Sequence, residues 1–459
     1  MGMKLPEFFK DNFRSLMEDS EYQAFKESFD KTRYYGLRVN TLKIQPAEFL
    51  SFMERGFEAI PWAPGFYYPE GESFGKFPAY HAGLYYIQEP SAMMPAQALL
   101  PKPGEKVLDL CAAPGGKTTH LGSHMQNKGL LVTNDINPKR VKALVKNVEL
   151  AGLTNTFVTN ETPQKLQTIY PGFFDKILLD VPCSGEGMFR KDRDAIQSYT
   201  RYKTAECVLL QREIMAAAYD MLKPGGAMVY STCTFNPEEN ERNIEFLIKN
   251  YDLQVERLES IGGFEPSRGH WTESQDPSLN GGLRLWPHRA KGEGHFVCRL
   301  IKNGIKPGNG ASAPITAYTS KEAEEASQAF FRFAGENIRG AENGVYHLRG
   351  HSLYRLPPFM DQLPPVKWEK AGLYLGEYQK GRFEPSQSLA MSYKADCFMK
   401  VIRFNREDHN IIRYLKGETL FAPGEKGYQL VCMEDYPLGW AKLDAGTLKN
   451  LYPKGWRMS

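Results

Sequence analysis

Apolar residues recur at three- and four-residue intervals over residues 5–30, where Phe8, Phe9, Phe13, Leu16 and Met17 mark one amphipathic helix or two. Tyr34–Leu42 reads as a short strand and Pro61–Pro69 as an aromatic, turn-rich loop. From about Pro101 the rhythm changes. Strand-like Lys106–Leu110 leads into a glycine-rich turn and a helical run from Lys117. Strand Leu130–Asn134, helix Pro138–Leu150 and strands Thr156–Thr159 and Lys176–Leu179 follow, then helix Thr200–Leu222 and strand Ala227–Ser231. This alternation predicts an α/β, Rossmann-like domain whose parallel sheet carries helices on both faces.

The helix after Asn137 shows the local logic. Asn137 can cap it, and Pro138 suits the first helical position, where its missing N–H is not needed. Val141, Leu144, Val145 and Val148 form one apolar stripe, with Lys139, Lys142 and Lys146 outside it as solvated lysines. The Gly-, Pro- and Ser-rich stretch 303–316 reads as a linker, beyond which strand-like segments such as Gly427–Cys432 resume.

Composition adds limits. At 459 residues the prior is about three domains, and 42% hydrophobic content excludes wholesale disorder. With 57 Lys and Arg against 54 Asp and Glu, bulk charge does not suggest a histone-like binder. The charge is uneven, however. Residues 301–459 hold 22 basic against 17 acidic residues, a net +5 that leaves −2 for residues 1–300. A polyanion would therefore meet the C-terminal part. Seven scattered cysteines offer neither zinc-knuckle spacing nor a disulfide framework, so no metal is expected and a reducing, cytoplasmic setting is. No run of about 18 apolar residues exists to span a membrane.

Val107 to Thr118 places a glycine-rich turn between strand and helix, where exposed N–H groups let a ligand approach the main chain. Gly116-Lys117-Thr118 matches the end of a phosphate loop, but its leading glycine would fall at Cys111, and the dinucleotide fingerprint is absent. Asp135 ends the next strand about 20 residues on, where an acid can hold ribose hydroxyls. A structural turn and a helix-capping acid would look the same one at a time. Together they suggest a nucleoside-bearing ligand without pyrophosphate, and S-adenosylmethionine fits. Cys183 follows strand Lys176–Leu179 and Asp180, and Cys233 follows strand Ala227–Ser231. Ligands in such sheets bind beyond the carboxyl ends of strands, so Asp180, Cys183, Cys233 and the turn should converge.

The runs CAAPGGKT, DVPCSGEG and STCTFNPEEN resemble those of bacterial RsmF-type 16S rRNA cytosine-5 methyltransferases of the Nol/Nop/Sun family. Tyr86–Ser91 and the late segment Arg284–Phe296 extend the resemblance over roughly residues 30–300. Gly427–Trp456 looks like the PUA-type RNA-binding domain that ends such proteins. The resemblance implies that Cys233 adds to cytosine C6, that Asp180 holds the base edge and that Cys183 assists release. It also implies that Cys111, Ala112, Ala113, Pro114, Gly115, Gly116, Lys117, Asp135, Arg140 and Asp180 surround the cofactor. The family usually has an Asp near the adenine after strand Thr156–Thr159. Here the chain reads Asn160-Glu161-Thr162, so Glu161 takes that place.

The expected organisation is an N-terminal α+β RNA-binding module (1–75), a methyltransferase domain (76–304), a linker with an intermediate domain (305–380) and a PUA-like domain (381–459). The expected partner of this monomer is 16S rRNA or the small ribosomal subunit. Its RNA contacts are expected from the N-terminal segment containing Arg38 and Asn40, and from the basic C-terminal third with Arg403, Arg406, Arg413, Lys416, Lys449, Lys454 and Arg457. A tRNA or other RNA cytosine-5 methyltransferase, a DNA cytosine-5 methyltransferase using Cys183, and a non-catalytic assembly factor remain alternatives.

Overall fold

The computed structural model describes residues 3–191, 193–201, 204–305, 317–340 and 343–458, so most of the expected linker lies outside the described residues. Helices Glu7–Leu16 and Asp19–Ser28 open the chain. Strands β1 (Tyr35–Val39), β2 (Glu58–Ala59), β3 (Gly65–Tyr68) and β4 (Tyr85–Ile87) form a sheet in the order β2-β3-β1-β4. β3 occupies part of the stretch read as loop, because Phe66 and Tyr67 pair with Leu37 and Gly36 of β1. β4 pairs with the other side of β1, so the divide expected at residue 75 falls inside this sheet.

The central sheet contains parallel β5 (Lys106–Asp109), β6 (Leu130–Asn134), β7 (Thr156–Thr159), β8 (Phe174–Asp180) and β9 (Leu222–Thr232). Antiparallel β10 (Leu253–Glu256), β11 (Phe264–Pro266), β12 (Leu283–Leu285) and β13 (His295–Lys302) close the β9 side, so the sheet is mixed. Strand alternation feeds two cores. Leu108, Val132, Phe157, Ile177, Leu179 and Tyr230 enter one face, and Val107, Leu131, Val158, Leu178 and Val229 enter the other. That is why the hydrophobic runs read as continuous rather than alternating. The stretch read as a helix over 200–222 is helical where it is described, as Thr204–Met221, with helix Arg193–Arg201 before it.

Beyond the catalytic part, β14 (Ala317–Tyr318), β15 (Val345–Arg349), β16 (Ser352–Arg355), β17 (Trp368–Ala371), β18 (Leu373–Gln379) and β19 (Arg382–Pro385) follow. β17 leaves its neighbours and pairs antiparallel with β7, extending the central sheet. β18 and β19 pair as a hairpin through Gln379 and Arg382, so the divide expected at residue 380 cuts paired strands. The last sheet joins β20 (Val401–Phe404), β21 (Leu420–Phe421), β22 (Gly427–Met433), β23 (Tyr436–Asp444) and β24 (Thr447–Asn450). It docks on the N-terminal module through Arg406, which pairs with Glu54, and through Tyr436, which donates to Glu48 (2.7 Å).

Candidate active site

The turn after β5 is fixed by glycine at two points. Gly115 has φ +110°, and a Cβ there would stand 3.1 Å from Leu144. A Cβ on Gly116 would stand 3.1 Å from the Tyr86 ring and 3.4 Å from the Gln88 amide. Arg38 reaches the turn from the N-terminal module. It is 2% exposed and donates to the Gly116 carbonyl, to Gln88 Oε1 (2.6 Å) and to Thr119 Oγ1 (2.7 Å). Burial pulls its pKa down to about 9. The RNA-binding expectation for the segment containing Arg38 and Asn40 is therefore corrected at these two side chains. Both are interior, and Asn40 ties Gly83 O to Ala151 O at 2.9 Å each.

Asp135, 3% exposed, accepts from Ala113 N (3.2 Å) and Asn137 N (2.9 Å), with Arg140 Nη1 at 3.4 Å. Asn137 caps the next helix through Lys139 N and Arg140 N, and Arg140 also donates to the Ala113 carbonyl. The acid thus holds the turn by its backbone. Glu161 accepts from Lys367 N at 2.7 Å, and Lys367 Nζ donates to Asn160 (3.0 Å), so the segment entering β17 clasps the loop after β7.

β8 and β9 are neighbours, with Asp180 opposite Ser231. The loops that leave them bring Cys183 Sγ within 3.4 Å of Cys233 Sγ. The hydrogen bond with Cys233, then burial, pushes the Cys183 thiol well above its ordinary range. Asp180 accepts from Lys117 Nζ (2.6 Å) and Ser231 Oγ (2.9 Å), with His295 Nε2 at 3.8 Å. Burial alone would raise Asp180, yet Lys117, with the Ser231 hydrogen bond, outweighs it and holds the carboxyl below its usual range.

Reciprocal braces set the two loops. Glu239 accepts from Ser184 N (2.9 Å) on the Cys183 side, and Glu186 accepts from Phe235 N (2.9 Å) on the Cys233 side. Gly187 N donates to the Cys233 carbonyl at 2.8 Å. Behind the loops, Phe9, Phe13, Phe25 and Phe29 of the opening helices pack on Phe189, Phe235 and Trp286. Phe235 stacks on Trp286 at 5.3 Å.

A cavity of about 320 Å³ lies where these parts meet. Cys111, Ala112, Ala113, Pro114, Gly116, Lys117, Arg140, Asp180 and Cys233 line it, while Gly115, Asp135, Glu161 and Cys183 lie outside its wall. Tyr86, Gln88, Glu293 and His295 also line it, and all four fall in the two segments, Tyr86–Ser91 and Arg284–Phe296, that extend the family resemblance. Its size suits a small-molecule site, and its backbone-walled turn and acids Asp180, Glu89 and Glu293 suit a cationic nucleoside such as S-adenosylmethionine. A larger cavity of about 570 Å³, between Lys43, Gly152, Met391 and Tyr436, holds none of the proposed catalytic residues. Among the described residues no helix is long and apolar enough to cross a membrane, and no three metal-binding side chains group together.

The basic C-terminal residues divide. Arg403 pairs with Asp435 (2.9 Å), Arg413 with Glu418 (2.8 Å) and Arg406 with Glu54, whereas Lys416, Lys449, Lys454 and Arg457 are exposed. Lys146, expected to be solvated, donates to Gly455 O (3.4 Å) and lies over Trp456.

Residues 96–301 match the family described as 16S rRNA methyltransferase RsmB/F, and residues 5–90 match the N-terminal domain of 16S rRNA methyltransferase RsmF. Residues 332–393 match the RsmF rRNA methyltransferase first C-terminal domain, and 401–458 the methyltransferase RsmF PUA domain. The ribosomal RNA small subunit methyltransferase F of Erwinia tasmaniensis is 30% identical over 98% of this chain and 96% of its own. That of Shewanella loihica is 33% identical over 91% and 88%. A solved methyltransferase homolog from Pyrococcus horikoshii is 31% identical, with a TM-score of 0.55 over 65% of this chain and 100% of its own.

Proposed function

This chain belongs to the RsmF-type 16S rRNA methyltransferases, and from that premise we propose how its own residues carry out S-adenosylmethionine-dependent methylation of cytosine C5. Cytosine C5 is too weak a nucleophile to take a methyl group directly, and a thiolate added at C6 makes it enamine-like. The observation that carries the assignment is the pair of sulfurs 3.4 Å apart at adjacent strand ends, beside an ionised Asp180. Cys233 is the nucleophile. Asp180 holds the base edge and stabilises the charge that develops on addition. Cys183 assists release: as a base takes the C5 proton, the freed electron pair re-forms the C5–C6 double bond and the C6–Sγ pair returns to the Cys233 sulfur.

S-adenosylmethionine, when bound, supplies an electrophilic methyl group. Cys111 to Lys117, Asp135, Arg140, Glu161 and Asp180 are the residues that would hold it. Arg38 fixes the turn from behind, and Asp135 fixes Ala113, so the pocket is set before a ligand arrives. A cytosine buried in a duplex is closed to attack at C6, so the target is unpaired or flipped. The chain divides into an N-terminal module reaching β4, the methyltransferase domain, an intermediate domain that keeps the β18–β19 hairpin whole, and a PUA-like domain. Exposed Lys416, Lys449, Lys454 and Arg457 of the last are the candidate RNA contacts, and a monomer acting on 16S rRNA or the small subunit is the working unit.

The test is transfer of labelled methyl from S-adenosylmethionine to undermodified 16S rRNA, small subunits, tRNA and DNA, followed by bisulfite mapping. Transfer to 16S rRNA that Cys233→Ala abolishes supports the reading. Survival of transfer in Cys233→Ala, or a preference for DNA or tRNA, overturns it.

A further inference from the structure

His295 opens β13 and lines the same cavity as Cys233 and Asp180. It is 3% exposed. Its Nε2 stands 3.8 Å from Asp180 Oδ1, beyond hydrogen-bond reach, and has no other partner. Nε2 is thus a buried ring nitrogen without a partner, and with the proton on Nδ1 it is a bare acceptor. Lys117 and Asp180 are the charged groups that face the ring, and burial keeps it neutral with a pKa of about 3. The placement is rigid. Gly294 has φ +121°, and a Cβ there would run into the Phe235 ring, which is itself stacked on Trp286.

A buried acceptor without a donor is costly unless something arriving completes it. Asp180 is in the same condition on its near side. Lys117 and Ser231 anchor its two oxygens, and each oxygen keeps a free lone pair. We propose that His295 Nε2 and Asp180 Oδ1 together receive the 4-amino group of the target pyrimidine, which makes His295 a specificity-determining residue. This rests on the cytosine reading above. An amino group offers two N–H donors to two acceptors. Uracil carries a carbonyl oxygen at that ring position, so three acceptors would meet without a proton between them. A site built on buried hydrogen-bonding groups rejects such an analogue far more strongly than an apolar pocket does.

The experiment uses 16S rRNA ligated to carry either cytidine or pyrimidin-2-one riboside, which lacks the amino group, at the methylated position. Methyl transfer and covalent protein–RNA adduct are measured for the full-length chain, His295→Leu and His295→Gln. On cytidine RNA, His295→Leu lowers kcat/KM by roughly 10- to 100-fold, and His295→Gln, whose carbonyl can accept, recovers much of it. On pyrimidin-2-one RNA the unaltered chain and His295→Leu agree within about twofold, because the contact is already gone. Equal losses on both RNAs, or no loss on cytidine RNA, overturn the proposal. Failure of the unaltered chain on cytidine RNA overturns the cytosine reading itself, and this inference with it.

Discussion

Lys117 Nζ lies 2.6 Å from Asp180 Oδ2, so the glycine-rich turn and the catalytic strand end share one ion pair. Burial works against both charges. The Asp180 carboxylate nevertheless raises Lys117, and Lys117 heads the groups that lower Asp180. A depressed carboxyl contributes stability above its unfolded pKa and loses it as pH falls through the folded value. In Lys117→Met burial is left less opposed, so the Asp180 pKa rises. The acid limb of the kcat/KM profile is expected to move to higher pH, with a loss of about 100-fold near neutrality. An unmoved acid limb would show that the pair does not tune Asp180.

The 3.4 Å approach of Cys183 Sγ to Cys233 Sγ predicts a divided phenotype. On the proposed reading, Cys183→Ala keeps Cys233 but lacks the thiol that assists release. It is expected to accumulate a covalent RNA adduct on denaturing gels while turnover falls, whereas Cys233→Ala forms none. Free turnover by Cys183→Ala removes Cys183 from the release step.

Gly187 is a packing requirement. A Cβ there would lie 2.8 Å from the Cys233 carbonyl and 3.1 Å from that of Gly294, and backbone cannot yield as a side chain does. Gly187→Ala should displace the nucleophile and lower kcat by roughly 100-fold, with the overall fold kept by circular dichroism.

Glu186 tests the brace. Burial, then Glu239 nearby, raises its pKa to about 8. A raised carboxyl binds its proton more tightly in the folded chain, so the native state loses stability as pH climbs from about 4.5 through about 8. Thermal melts should fall across that window in the unaltered protein. Glu186→Gln should flatten the fall by at least about 1 kcal/mol, roughly 2–4 °C for a domain of this size. Parallel melting curves for the two proteins would place the pH dependence elsewhere.

Arg38→Lys separates interior support from RNA contact. A lysine cannot serve Gly116 O, Gln88 and Thr119 at once, as the guanidinium fork does. The KM for S-adenosylmethionine should rise about tenfold, with RNA affinity unchanged in filter binding. The reverse pattern would restore Arg38 to the RNA surface.

The catalytic sheet was legible because β5 to β9 are buried on both faces, and their Val, Ile and Leu runs sit between Gly, Pro and Asn breaks. The same rhythm put both cysteines and Asp180 beyond strand ends. Spacing could not disclose contacts between distant segments. Nothing local marks Arg38 as a buried prop rather than a surface charge, because its partners lie 50 to 81 residues away. Nothing local marks Glu186 and Glu239 as braces for the same reason, since their backbone partners lie about 50 residues away. β3 was missed because Pro and aromatic residues resemble a turn until β1 supplies the pairing. The divides at 75 and 380 failed because sheet membership is settled by partners across the chain.

β17 gives synthesis of this protein an order of events. The catalytic motifs are complete by Lys302, but β7 has no partner on its outer side until Trp368–Ala371 emerges. During translation, or in a fragment ending near residue 304, that edge would stay open to strands of other chains. The loop with Asn160 and Glu161 would also lack the Lys367 clasp. The nascent enzyme therefore gains a closed catalytic sheet only when much of its C-terminal half has left the ribosome, the particle whose RNA it modifies.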